Sequence, residues 1–483
     1  MNNEILINVT PQEKRVAIIQ RGTVQELHIE REANRGLVGN IYNGIVRRIL
    51  PGMQSAFIDI GLDKAGFLHV ADLGNHREDK DTLPIEKILH EGQKLLVQVM
   101  KDPLGTKGAR LSTQVSIAGR FLVSLPTDKH IGVSQKIELE ETRETLKDRI
   151  AQLAGENCHD GFIIRTLAES ANDEEFRADI DYLRRVWKDI EARSSENKAP
   201  NLIYEDLDLS VRILRDYLAE DSERILVDSR ETFQKMTSFA QSFIPQLSSK
   251  VQLYTSERPI FERYGVEDEI ERALGRRVNL QSGGYLVIDQ TEALITVDVN
   301  TGGFVGDRNF EETVYKNNLE AAQAIARQIR LRNLGGIILI DFIDMDNESH
   351  KISILEELEK AVSFDRTRVN INGFTQLGLV EMTRKRTRES LAHILCEPCD
   401  RCSGRGEIKT VPTIGYQILR EIVREARQYD PKNLRIIASK SVIDFFHDEE
   451  SQSIAMVEEF IGKTIHLQSD QLYGQEQYDI VLT

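Results

Sequence analysis

Two apolar, β-branched runs in this chain end in acids. Ile295-Thr296-Val297-Asp298-Val299-Asn300 is the first, and Gly335-Gly336-Ile337-Ile338-Leu339-Ile340-Asp341-Phe342-Ile343-Asp344 is the second. Each reads as a buried strand that delivers a carboxylate to one edge of a sheet. A lone buried carboxylate is too costly to keep charged, so something must stabilise it. A hard divalent cation would do so. Mg²⁺ in particular is held by one or two carboxylates, with waters and phosphate oxygens filling the rest of its shell. Asp298 and Asp341 are the candidate Mg²⁺ ligands. Asn300 lies two residues from Asp298 and shares its strand face, where its amide would orient an attacking water or a phosphate oxygen. Such an ion lowers the pKa of its water and offsets charge on a scissile phosphate. The competing reading makes these acids a sheet-edge cap, or partners for nearby arginines. Asp344 has no assigned role.

Cys399-Asp400-Arg401-Cys402-Ser403-Gly404-Arg405-Gly406 has the spacing of a zinc knuckle. One knuckle is half of a four-ligand site, so the expectation is a Zn²⁺ shared by two chains and hence a homodimer. Cys396 and His393 could complete a site within one chain, but four ligands so close in sequence are sterically awkward. The alternatives are free buried cysteines, or a redox pair, which would need a thioredoxin-like strand–helix context. Cys158 stands alone and reads as core.

Two further groups point to nucleic acid. Phe57 and Phe67 sit on adjacent predicted strands, and Lys107 lies in the glycine-rich turn LGTKGAR. On an oligonucleotide-binding barrel, aromatics stack bases and a basic residue meets the backbone. Taken alone, each Phe reads first as core. Arg165-Thr166 follows the strand Gly161–Ile164. Such a pair can hold a phosphate by a forked contact plus a hydroxyl, although a surface salt bridge is the plainer reading. Basic residues at 327, 330 and 332, and at 384, 385, 386 and 388, either face solvent or track a phosphate backbone.

The elements around these residues are α/β in pattern. The chain has 483 residues, enough for three or four domains of roughly 100–200 residues. Residues 1–35 alternate as a half-buried sheet, and 36–125 are β-rich and glycine-punctuated like a small barrel. Residues 126–210 are mixed, with SSENKAP at 194–200 reading as a loop, and 211–275 add more helix and strand. From 276 to 395 strand and helix alternate, 396–412 hold the Cys/Gly knuckle, and 413–483 form a small α/β tail. A net charge of −16 argues against binding nucleic acid by bulk electrostatics and throws the burden on local sites. No apolar run approaches the roughly 20 residues of a membrane span. The N-terminal stretch has no secretory pattern, and four cysteines suit a reducing cytoplasm.

Together these segments resemble the ribonuclease E/G family. The resemblance rests on GNIYNGIVRRILPGMQSAFIDIG, KDPLGTKGARLS, IIRT, SGGYLVIDQTEALITVDVN, RQIRLRNLGGIILIDFIDM, GLVEMTRKRTRESL and CDRCSGRG, spread from about residue 39 to 406. It implies a multidomain α/β (α+β) fold. An RNase H-like subdomain (1–35 with 211–275) and a DNase I-like catalytic subdomain (276–395) would flank an inserted OB-fold RNA-binding barrel (36–125) and a 5′-phosphate sensor region (126–210). A zinc-link (396–412) and a small C-terminal α/β domain (413–483) would follow.

The resemblance further implies a cytoplasmic, Mg²⁺-dependent endoribonuclease. It would cut single-stranded AU-rich RNA, leave 5′-phosphate and 3′-hydroxyl ends, respond to a 5′-monophosphate, and act in maturation of the 16S rRNA 5′ end and in mRNA turnover. Asp298 and Asp341 match the family's metal ligands, and Asn300 its catalytic asparagine. Phe57, Phe67 and Lys107 match RNA-contacting positions. Gly119, Val123, Arg165, Thr166 and Arg368 match the 5′-monophosphate pocket. Cys399 and Cys402 match a zinc-link that joins chains into a dimer, with a tetramer as a further step. A non-catalytic RNA-binding or ribosome-assembly factor is the alternative, and it would have no need of the Asp298, Asn300 and Asp341 set. A DNA-cutting nuclease would share the metal logic, and 2′-hydroxyl contacts would separate it.

Overall fold

A computed structural model describes residues 3–74, 83–103, 108–137, 139–155, 160–218, 222–303, 310–429 and 431–482. The chain divides into two compact units, Met1–Ile394 and Leu395–Thr483. It is a mixed α/β, multidomain protein.

Among the described residues the first unit has four sheets. One has five strands in the order Val251–Leu253, Ser222–Val227, Asn3–Val9, Glu13–Gln20, Thr23–Arg31. Its first and last stretches come from distant parts of the chain: Asn3–Val9 runs parallel to Ser222–Val227 and antiparallel to Glu13–Gln20. The helices Leu209–Tyr217 and Arg230–Phe243 bury Ile213, Leu214, Met236 and Ala240 against Ile5, Ile7, Val16 and Ile225.

A closed five-stranded barrel follows, built from Ile41–Leu50, Ser55–Asp59, Gly66–His69, Arg110–Ser112 and Lys94–Lys101. Lys94–Lys101 pairs back onto Ile41–Leu50 and closes it, so no strand edge is left within the ring. Asn201–Tyr204 adds to the outside of Ile41–Leu50. Ala56, Ile58, Leu68, Val97 and Leu111 fill the interior.

The third sheet has the order Ile131–Val133, Gly161–Ile164, Leu122–Leu125, Ile117–Ala118. Helices Glu140–Ala154 and Asp173–Glu196 cover it. The second of these runs through Ser194–Glu196, so the loop expected over 194–200 starts later than its polar composition suggests.

The fourth sheet has six strands in the order Arg277–Asn279, Tyr285–Gln290, Leu294–Asn300, Gly336–Asp341, Leu379–Arg384, Val369–Phe374. Helices Phe310–Leu331 and Glu348–Val362 pack on one face, where Val314, Ala321, Ile325 and Ile329 meet Ile295, Val297, Val299, Ile338 and Ile340. Strand parity then turns Thr296, Asp298, Asn300, Leu339 and Asp341 to the opposite face. Among the described residues no helix is long and apolar enough to cross a membrane.

The second unit is a three-stranded sheet, Thr464–Ser469, Asn433–Ala438, Tyr478–Leu482, with helices Val411–Tyr429, Lys440–Asp448 and Ser451–Ile461. Ile418, Ile422, Phe446, Leu434 and Ile436 form its core.

Candidate active site

Leu294–Asn300 and Gly336–Asp341 are parallel neighbours at the centre of their sheet, and Asp298 stands in register with Asp341. The carboxyl ends of the two strands therefore place both acids side by side. Neither is buried: Asp298 and Asp341 are exposed on the face the helices leave open, and Asp344 is exposed just beyond. The expectation of acids sunk into buried strands is corrected here, because among the described residues the helices cover only one face of this sheet. Asn300 Nδ2 donates to Asp298 Oδ2 at 2.8 Å, which fixes the two side chains relative to each other. Partial burial, then the neighbouring Asp298 and Asp344 carboxylates, pushes the Asp341 carboxyl above its ordinary value.

The basic residues nearby in sequence do not neutralise these acids. Arg327 pairs with Glu269 and donates to Val24 O. Arg330 donates to Gln25 Oε1, and Arg332 to Gly275 O. Arg384 is buried on Asp365, at 2.7 Å. Arg386 donates to Gly335 O, and Arg388 contacts His28. Arg327, Arg330, Arg332 and Arg384 bond inward, and Arg327 and Arg330 tie the helix on the six-stranded sheet to the five-stranded one, whereas Lys385, Arg386 and Arg388 are exposed. Among the described residues no cluster of three or more His, Cys, Asp or Glu side chains is arranged to hold an ion. A sparse set of acids suits a hard cation that keeps its waters and takes oxygens from a substrate; it does not make an all-protein cage.

On the barrel, Phe57 lies directly opposite Phe67, with ring centroids 6.2 Å apart and the rings tilted edge to face. Both are half-buried on the outer surface, since Ala56, Ile58 and Leu68 take the inward positions. The reading of each Phe as core is thereby corrected. The same row continues on both sides: Arg48 is the register partner of Phe57, Arg110 of Phe67, and Lys101 of Arg110. Two aromatics thus sit between basic residues on consecutive strands. Lys107 lies outside the described residues.

The four-stranded sheet gathers Gly119, Val123, Arg165 and Thr166. Arg165 donates to Gly119 O and pairs with Asp216 Oδ1 at 2.8 Å, so the salt-bridge reading describes its contact in this structure. Burial works to raise the Asp216 carboxyl, but the Arg215 and Arg165 guanidiniums hold it below the usual carboxylate range. Val123 sits between Ala118 and Ile163 in the ladder. Thr166 Oγ1 is 3.2 Å from Ser134 Oγ, and Arg368 donates to the adjacent Gln135 Oε1 at 3.0 Å. Arg368 therefore reaches this cluster from the six-stranded sheet's side of the unit.

A model of the ribonuclease E/G family matches residues 116–387, and a ribonuclease E/G thioredoxin-like domain matches residues 398–482. Ribonuclease G of Escherichia coli strain K12 is 52% identical over the full length of both chains. Ribonuclease G of Haemophilus influenzae is 50% identical over 99% of each. This chain belongs to the ribonuclease E/G family. Ribonuclease E of Escherichia coli is 36% identical over 94% of this chain and 43% of that protein.

The family's thioredoxin-like match begins at the knuckle. Cys396 and Cys399 are exposed and Cys402 is partly so; all three thiols are free. Ser403 N–H closes the turn on Cys399 O at 2.7 Å, and Ser403, Gly404 and Gly406 take left-handed backbone angles. The amides of Gly406 and Gly404, directed at the Cys402 sulfur, lower its thiol pKa. A thioredoxin-like context was not legible at the sequence level. Even so, the pair sits on a turn ahead of helix Val411–Tyr429 and follows no strand. Cys158 lies outside the described residues.

Sequence reasoning missed three residues of the Arg165 cluster. Asp179 is buried and accepts the backbone N–H groups of Arg120, Phe121 and Leu122 at 2.9–3.0 Å, shaping the turn at Gly119. A Cβ on Gly119 would lie 2.5 Å from the Asp179 carboxylate, so the turn requires glycine. The signal was present: Asp179 is an acid on the apolar stripe of Phe176, Ile180 and Leu183. Asp216 and Gln135 carry no such mark.

Proposed function

We propose that this chain is a metal-dependent endoribonuclease acting on single-stranded RNA. The observation that carries this reading is the placement of Asp298, Asn300 and Asp341 together on adjacent parallel strands of a ribonuclease E/G chain. Asp298 and Asp341 would hold a Mg²⁺, and the unneutralised charge behind the raised Asp341 pKa fits a site that wants a cation. A bound Mg²⁺ supplies water activation and offsets charge on the scissile phosphate. Asn300, already bonded to Asp298, orients that carboxylate and presents its amide to the reacting phosphate. Cleavage leaves 5′-phosphate and 3′-hydroxyl ends.

The barrel row from Arg48 to Lys101 serves as the track, with Phe57 and Phe67 stacking bases and the basic residues, Lys107 included, meeting phosphates. AU-rich segments suit a surface that reads by stacking, because weakly paired RNA stays single-stranded. Arg165, Thr166 and Arg368 take a 5′-monophosphate, with Gly119 and Val123 giving backbone contacts; Arg165 would exchange its Asp216 contact for the phosphate. Cys399 and Cys402 supply half of a Zn²⁺ site whose other half comes from a second chain. The biological role we assign is maturation of the 16S rRNA 5′ end and mRNA turnover in the cytoplasm.

The deciding experiment is cleavage of a short 5′-monophosphorylated single-stranded RNA with Mg²⁺, beside a matched DNA and the Asp298→Asn variant. Cutting of RNA by the wild type alone supports the reading. Binding without cutting by either protein would favour the non-catalytic RNA-binding factor.

A further inference from the structure

Helix Phe310–Leu331 carries two adjacent asparagines, Asn317 and Asn318, neither of which exposes any surface. Asparagine is a poor residue for a helix interior, because its amide competes for backbone partners. Burying it is costly unless its bonds are made elsewhere. Asn318 makes a reciprocal pair with one backbone residue: its Oδ1 accepts from Ile343 N–H at 3.1 Å and its Nδ2 donates to Ile343 O at 2.8 Å. Ile343 lies between Asp341 and Asp344. The strand ladder ends at Asp341, which is the last residue paired with Asp298 on one side and Leu379 on the other. Asn318 takes hold of the chain where the sheet lets go of it.

Asn317 works on the turn before the strand that pairs with the other acid-bearing strand. Its Oδ1 accepts from Ser282 Oγ at 2.9 Å, and Glu320 accepts from Ser282 N–H at 2.9 Å. These bonds pin the turn that leads into Tyr285–Gln290, whose first residue pairs with Asn300. Gly284 marks the meeting point. A Cβ there would fall 2.1 Å from Asn317 Oδ1 and 2.7 Å from Asn300 O. Only glycine lets the helix amide and the Asn300 backbone approach so closely.

We infer that Asn317 and Asn318 form an amide clamp that fixes the two acid-bearing strand ends relative to each other, making both asparagines positioning residues for Asp298 and Asp341. The inference rests on the reading that those acids hold the metal. The clamp acts through backbone and turn, and neither asparagine belongs to the RNA-contacting barrel. Its loss should therefore appear in turnover and in ion affinity, while RNA binding stays as it is.

The test compares full-length wild type with Asn318→Ala, Asn317→Ala and Asp298→Asn. Displacing reacting groups by about 1 Å costs on the order of 10²-fold in rate, so Asn318→Ala should lower kcat by about that factor with KM for RNA unchanged. Mn²⁺ binding, followed by electron paramagnetic resonance without RNA, should weaken in the same variant, and excess Mg²⁺ should restore part of kcat. Asn317→Ala keeps both Ile343 bonds and should show a smaller loss of the same kind. It also keeps the question answerable if Asn318→Ala does not fold. Wild-type kcat and Mn²⁺ affinity in the folded clamp variants, with Asp298→Asn inactive, would overturn the clamp alone. Full cleavage by Asp298→Asn would overturn the metal reading and the clamp with it.

Discussion

Asp341 is the residue on which the chemistry can be checked without RNA. Partial burial and two neighbouring carboxylates raise its pKa. An acid raised in the folded state binds its proton more tightly there than in the unfolded chain. Its contribution to stability therefore falls as pH rises from the ordinary carboxylate value through the raised one. A cation between the acids offsets that loss. Thermal melts at neutral pH should show a higher Tm for Asp341→Asn than for wild type in chelator, and a Mg²⁺-dependent rise in wild type that the variant lacks. An equal rise in both would remove Asp341 from the ion site. Asp298→Asn should abolish cleavage while RNA binding persists, as single-turnover and filter-binding assays would read. Phe57→Ala should weaken single-stranded RNA binding by about 1–3 kcal/mol, the worth of one stacked base, with little change in kcat at saturating RNA. The acids and their asparagine were legible in the sequence because strand parity alone puts Asp298 and Asn300 on one face. Their exposure was not, because a run of β-branched residues looks the same whether one face of its sheet is covered or both.

At the level of elements, the loop between Glu348–Val362 and Val369–Phe374 joins the six-stranded sheet to the Arg165 cluster. Its anchor is the buried pair of Asp365 and Arg384, with both side chains only 5% exposed. Arg384 also donates to Leu334 O at 2.8 Å, so the loop is bound to the segment that leads into the strand ending at Asp341. Asp365→Ala would strand a buried guanidinium, at a cost of about 3–5 kcal/mol. Denaturant unfolding measures that loss. The same variant should blunt the preference for 5′-monophosphate over 5′-hydroxyl RNA, because Arg368 sits three residues from the lost anchor. An unchanged preference would separate Arg368 from the pocket. Most strands and helices could be read from period and turn residues. The pairings between them could not: Leu122–Leu125 with Gly161–Ile164, or Asn201–Tyr204 on the barrel, join segments whose local patterns carry no address for each other. The basic run near 384–388 divides for a related reason: Arg384 turns inward to Asp365 while Lys385, Arg386 and Arg388 are exposed, and charge along a sequence does not reveal which does which.

For the whole molecule, a chain with net charge −16 must meet RNA through local surfaces, and the row from Arg48 to Lys101 is the one we propose. The knuckle turn offers two thiols, and a structural zinc asks for four ligands. Cys399→Ser combined with Cys402→Ser should release zinc and halve the sedimenting mass. Unchanged metal content and mass would reject the shared site. Assembly of this kind was suggested by counting cysteines, whereas the thioredoxin-like character of residues 398–482 came only from comparison with known proteins.

The interleaved five-stranded sheet also sets a timetable. Asn8 bonds to Asp228, 220 residues later in the chain. At about 5–20 residues per second on the ribosome, the hairpin of Asn3–Val9 and Glu13–Gln20 waits roughly 10–45 s for its parallel neighbour. Every strand of the barrel and of the four-stranded sheet is synthesised within that interval. The nascent chain thus completes two of its sheets while the first strand it made still has an open edge.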